Sequence, residues 1–182
     1  MTGLAAVLIG GPPATGKSTL AMALAPHLGA AVLDLDTATA PLTRVVSELA
    51  GLHDLDDPVL AGLTRDARYD TLLALAEANL TAGRPVVLVA PFTAERARPS
   101  AWAATTRRLP GRATMVWLYL PPDELIRRLT QRGLARDENK IRDPASYLTG
   151  LDLNPPAIPH LALDASQPTG VLVRSLLGHL AN

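Results

Sequence analysis

Cysteine is absent from the 182-residue sequence, which removes disulfides, thiolate nucleophiles and thiolate-bound metals from its chemistry. Charge of one sign is not in excess either. The 17 Lys and Arg residues balance 17 Asp and Glu residues, so there is no electrostatic footprint for nucleic acid and no block of like charge to form a membrane-binding tail. Long apolar runs are missing too. The N-terminal one, Leu4 to Ile9, is far shorter than the roughly 20 residues of a spanning helix, and no basic segment precedes it. No signal peptide, transmembrane segment, internal repeat or linker is read. One domain covering residues 1–182 is expected, large enough to bury a core without metal or disulfide support. The simplest setting is cytoplasmic, with a monomer or homodimer and no nucleic-acid or membrane partner.

What is present is organised around residues 10 to 19, Gly-Gly-Pro-Pro-Ala-Thr-Gly-Lys-Ser-Thr, which follow that apolar run. They fit the phosphate-binding loop pattern at every position. Gly11 opens the loop, and Gly16 lets the backbone pass close to a phosphate where a side chain would collide. Lys17 supplies a cation for the β and γ phosphates, and Ser18 offers a hydroxyl to Mg²⁺. Thr19 to Ala25 read as a helix whose N-terminal amides and positive dipole end face the bound anion. The nucleotide contacts therefore fall on Gly11, Pro13, Ala14, Thr15, Gly16, Lys17, Ser18 and Thr19.

Along the rest of the chain, strand-like and helix-like segments alternate, the sequence form of an α/β fold with a mostly parallel sheet. Strands are expected at residues 4–9, 31–33, 85–90, 113–120 and 160–164. Helices are expected at 41–50, 58–82, 99–109 and 123–132, with another closing the chain. Asp34-Leu35-Asp36 leaves the second strand at the end where ligands of open α/β sheets bind. On an extended segment two residues apart point the same way, so both carboxylates can face the phosphate loop; an aspartate after a strand also serves as a turn or helix cap. The third strand ends in Ala90-Pro91 and lacks the terminal carboxylate that a motor-type ATPase needs for Mg²⁺ and water.

These features together resemble the small P-loop kinases: shikimate kinase, gluconate kinase, the chloramphenicol phosphotransferases and the kinase part of polynucleotide kinase. The resemblance implies a three-layer α/β sandwich with a five-stranded parallel sheet in the order 2-3-1-4-5 and an Arg-rich lid at about residues 130–145. It also implies transfer of the γ-phosphoryl group of ATP or GTP, with Mg²⁺, to a hydroxyl of a small metabolite, nucleoside or antibiotic. It carries Asp34 over to Mg²⁺ together with Ser18, and Asp36 to the acceptor hydroxyl, with the two roles exchangeable. Lid arginines Arg132 and Arg136 would close on the transferring phosphoryl group, where positive charge stabilises the transition state, and Arg128 would lie near the nucleotide base. Arg65, Arg68, Phe92 and Arg96 are candidates for the acceptor.

Two other functions remain open at this level: a nucleotide switch or ATPase without a small acceptor, and a kinase of sugar nucleotides like the zeta toxins. The histidines His27, His53 and His179 have no partners at metal-ligand spacing and read as surface residues. His160 reads as a packing or capping residue rather than a base, and Trp102 and Trp117 read as core.

Overall fold

The computed structural model describes residues 4–52, 57–133 and 137–181. Its five strands are β1 (Leu4–Gly10), β2 (Ala31–Asp34), β3 (Val86–Val89), β4 (Arg112–Tyr119) and β5 (Leu161–Asp164). They form one sheet in the order β2-β3-β1-β4-β5, and every neighbouring pair is parallel, as expected. The sheet register brings the C-terminal ends to one level: Asp34 is opposite Val89, Val89 opposite Ile9, and Gly10 opposite Trp117.

Helices cover both faces, and the alternation of β1 decides which core each residue enters. Val7 and Ile9 pack with α1 (Lys17–Leu28), α6 (Pro122–Arg132) and α9 (Thr169–Leu180) through Leu20, Leu24, Leu125, Leu129, Leu172 and Leu176. Ala6 and Leu8 pack on the other side with Leu72, Leu73 and Ala76 of α3 (Pro58–Thr81) and with Phe92, Leu109 and Met115. A sheet buried on both faces explains why β3 reads as an unbroken Val-Val-Leu-Val run.

Three differences from the sequence-based expectation bear on the site. The helix expected from Pro41 is in fact α2, Leu35–Leu49, with Pro41 inside it. Proline is a start signal when local propensity alone decides. Here the cap at Asp34 and the burial of Leu35, Thr39, Thr43 and Ser47 carry the helix a turn and a half further back. Asp34 and Asp36 therefore do not share an extended segment: Asp34 ends β2 and Asp36 lies in the first turn of α2. Short helices also occupy stretches read as loops, namely α4 (Thr93–Ala97), α7 (Glu138–Arg142) and α8 (Pro144–Gly150). α5 (Pro99–Arg108) begins where the expected helix did.

Candidate active site

The loop between β1 and α1 is shaped by its backbone. Gly11 has φ 148°, and a Cβ there would stand 2.5 Å from the Leu118 carbonyl oxygen, so only glycine fits. Ala14 and Gly16 take left-handed conformations at φ 59° and 83°, a pattern that turns successive amides toward one concavity. The buried Thr15 hydroxyl donates to the Pro12 carbonyl at 2.8 Å and holds the curl. α1 then starts at Lys17 with no side-chain cap and no acidic residue in its first turn, which leaves its amides and positive dipole end for an anion. Lys17 Nζ donates to the carbonyls of Gly11 and Pro12 at 3.0 and 2.8 Å.

Asp34 does two things at once. Its Oδ1 accepts the N–H groups of Asp36 and Thr37 at 3.0 and 3.1 Å and caps α2, while its Oδ2 accepts the Ser18 hydroxyl at 2.7 Å. A hydroxyl and a carboxylate side by side at the mouth of a phosphate loop are the hard oxygen donors that Mg²⁺ uses along with substrate phosphates and water. Among the described residues no cluster of three or more His, Asp and Glu side chains could hold a metal unaided.

Across from the loop, Arg68 of α3 reaches α2. Its Nη2 donates to Asp36 Oδ1 at 2.6 Å and its Nε to the Thr39 hydroxyl at 2.9 Å. Asp36 stays largely exposed. Arg96, by contrast, is buried. Its guanidinium lies 4.8 Å from the Trp117 ring centroid and donates to the Asp152 carboxylate at 2.7 Å and to the carbonyls of Asp152 and Asn154. Asp152 is held below the usual carboxylate range, first by the Asn154 N–H and then in part by Arg96.

The arginines of α6 are organised by carboxylates. Glu124 receives Arg127 through two nitrogens and Arg128 through one. The hydrogen bonds from Arg127 and then Arg128 lower its carboxyl to about 2. Arg128 also donates to the Ala165 carbonyl at 2.9 Å. Arg132 directs Nε and Nη2 onto Oδ2 of the wholly buried Asp137 at 2.8 and 2.6 Å, and Lys140 Nζ meets the other oxygen at 3.2 Å.

These groups converge on a cavity of about 670 Å³ at the C-terminal edge of the sheet. Among the described residues, every one expected in the site borders it except three. Thr15 is spent on the loop itself. Arg65 donates to the Thr93 hydroxyl at 2.7 Å and lies 5.0 Å from the Tyr69 ring centroid, one step behind the wall. Phe92 is wholly buried and offers no surface to a ligand. It sits in the left-handed region at φ 47°, its N–H donates to the Tyr69 hydroxyl at 3.0 Å, and the two rings meet edge to face. Burial, and then the charge of Glu95, push that hydroxyl up to about 12. Arg136 and His53 lie outside the described residues.

Among the cavity residues that the sequence reading did not assign to the site are Trp117, Asp152 and Lys140. Gly10 opposite Trp117 was the available signal, since a Cβ there would touch the indole at 3.4 Å. Asp152 had none, because the proline-rich stretch after it has no periodicity. His160 binds the Ile158 carbonyl through Nδ1 at 2.8 Å and takes a capping role.

A parallel sheet of this order, with a glycine-shaped loop and a helix N-terminus aimed at its C-terminal edge, is the P-loop NTPase fold. The AAA domain family matches residues 7–147, and the chain belongs to that family. Solved structures of small P-loop kinases share the fold over nearly the whole chain. A gluconokinase from Sinorhizobium meliloti 1021 is 21% identical with a TM-score of 0.63, covering 100% of this chain and 94% of that one. The APS kinase CysC of Mycobacterium tuberculosis, in complex with AMPPNP and APS, is 19% identical with a TM-score of 0.64, covering 98% of both. Shikimate kinase from Aquifex aeolicus vf5 is 17% identical with a TM-score of 0.55, covering 97% and 96%. No curated protein matches the sequence. No helix among the described residues is long and apolar enough to cross a membrane.

Proposed function

We propose that the chain is a phosphotransferase that moves the γ-phosphoryl group of ATP or GTP to a hydroxyl of a small molecule. The observation that carries this reading is a single cavity with a phosphate loop on one wall and the Asp36–Arg68 pair on the other. A triphosphate seated on the loop would direct its terminal phosphoryl group toward that pair. The names of the structural neighbours, a gluconokinase, a shikimate kinase and an APS kinase, fit the same chemistry.

In this reading Lys17 and the loop amides hold the β and γ phosphates, and Ser18 with Asp34 would hold Mg²⁺, which when bound would neutralise phosphate charge. Asp36 orients the acceptor hydroxyl and takes its proton as the oxygen attacks phosphorus and the bond to the β-phosphate oxygen breaks. Arg68 fixes the Asp36 carboxylate. Arg128, Arg132 and Lys140 would supply positive charge along the nucleotide side. A switch ATPase fits less well, because β3 ends in Val89, Ala90 and Pro91 without a carboxylate.

The test is a screen of hydroxylated acceptors with coupled detection of nucleoside diphosphate. Turnover is expected to be slow until an acceptor is supplied, and Lys17→Ala is expected to abolish it with the fold retained by circular dichroism. Nucleotide consumption that ignores every acceptor, or a Lys17→Ala variant that keeps most of its turnover, refutes the assignment.

A further inference from the structure

The outer face of α2 is built the wrong way round for a helix of an isolated domain. Its buried stripe, Leu35, Thr39, Thr43 and Ser47, is mostly hydroxylic. Its large apolar side chains Leu42, Val45, Val46 and Leu49 point to solvent, with Leu42 69% and Leu49 84% exposed. Spacing of three, one and three residues puts those four on one face.

The register of the helix is not in doubt. Thr39 and Thr43 satisfy their hydroxyls on the carbonyls of Leu35 and Thr39, Ser47 on that of Leu52, and Arg68 of α3 ties down Asp36 and Thr39. Turning the apolar stripe inward would break the two Arg68 bonds, which alone among these join α2 to another element. α3 follows α2 in the chain and packs on it, and its first turns add Leu63 and Val59, both 62% exposed. A large exposed apolar patch on a surface marks an interface.

We propose that this patch is the contact of a two-fold symmetric homodimer, α2 packing on α2. Two observations select a second copy as the occupant. The stripe reads the same in both directions, Leu-Val-Val-Leu at 42, 45, 46 and 49. A two-fold axis between Val45 and Val46 therefore lays Leu42 on Leu49 of the partner subunit, apolar on apolar, which is the self-complementarity an isologous contact requires. The six side chains expose surface on the order of 700 Å², close to the roughly 800 Å² per partner of a standard specific interface. The inference does not depend on the proposed activity.

Sedimentation equilibrium of the full chain across roughly 1–100 μM is the first measurement, and it is expected to give twice the 19.2 kDa chain mass. Leu42→Glu combined with Leu49→Glu should give a monomer with unchanged circular dichroism, because both positions are exposed and only the contact would bury the new charges. The absence of native cysteine supplies a second, independent probe. Val45→Cys, beside the axis, should form a cross-linked dimer on mild oxidation, whereas Leu75→Cys, exposed on α3 outside the patch, should not. A parent chain that stays monomeric at the highest concentration, a dimer that survives the double Glu substitution, or equal cross-linking at both cysteines overturns the proposal.

Discussion

Asp34 carries two loads that a pair of substitutions can separate. Its Oδ1 closes the N-terminus of α2 on the amides of Asp36 and Thr37, and its Oδ2 holds the Ser18 hydroxyl. Asn keeps an acceptor oxygen for the amides and removes the charge, whereas Ala removes both. Loss of an N-cap costs about 1 kcal/mol, and in a domain of this size 1 kcal/mol is worth roughly 2–4 °C in Tm. Asp34→Ala is therefore expected to melt about 2–4 °C below the parent and Asp34→Asn within about 1 °C of it. The metal side should behave oppositely. Both variants should need about 10- to 100-fold more Mg²⁺ for half-maximal phosphoryl transfer, the usual cost of losing a carboxylate that supports a ligand. Scanning fluorimetry reads the first quantity, and a Mg²⁺ titration of acceptor-dependent turnover reads the second. If Asp34→Asn keeps the parental Mg²⁺ dependence, Asp34 is a helix cap and nothing more; if the two variants melt together, the cap is energetically silent.

Phe92→Ala is expected to cost about 3–5 kcal/mol in urea denaturation, as for any large ring removed from a core, without raising the acceptor KM; the reverse pattern would make the ring a substrate contact. Asp137→Asn should release Arg132 and Lys140, lower kcat more than it raises the nucleotide KM, and add nothing to Arg132→Ala in the double variant, whereas additive losses would show that the two residues act separately. The Glu124 carboxyl sits at about 2 in the fold against 4.5 for an unperturbed group. Its ion cluster with Arg127 and Arg128 therefore contributes fully above pH 4.5 and is lost as pH falls toward 2. Glu124→Gln should flatten the fall in Tm across that window, and an unchanged profile would show that the cluster does not hold α6.

The residues of the phosphate loop were legible because their constraints are local: a glycine that must avoid the Leu118 carbonyl, an ammonium and a hydroxyl at fixed steps along one turn. The parallel sheet was legible because strand and helix alternate, and its order was implied by the resemblance to the small P-loop kinases. What could not be read was set by packing between distant segments. Pro41 marks a helix start to any local rule, yet Thr39 and Thr43 are buried and carry α2 back to Leu35, which moves Asp36 from an extended segment onto a helix. Phe92, beside a glycine-free turn after β3, gave no hint that it occupies a left-handed conformation with its ring inward. Arg96 was singled out as a charge, but its burial over Trp117 depends on a strand that begins sixteen residues later and on a carbonyl-rich stretch near Asp152. Nothing short of the fold joins those three.

The Lys17 ammonium rests on two carbonyls of its own loop, and this makes admission to the site a competition between acceptors. An uncharged molecule of suitable shape offers the ammonium nothing better than the peptide oxygens of Gly11 and Pro12, so it gains little by entering. Phosphate oxygens carry formal charge and win the exchange, because an ionic acceptor binds roughly twice as strongly as a neutral one. The same two bonds brace the curve of the loop from within, so its shape is already set when an anion arrives and little ordering entropy is left to lose. In the proposed reading, the lysine would sort ligands by ionisation before any other wall of the cavity sorts them by form.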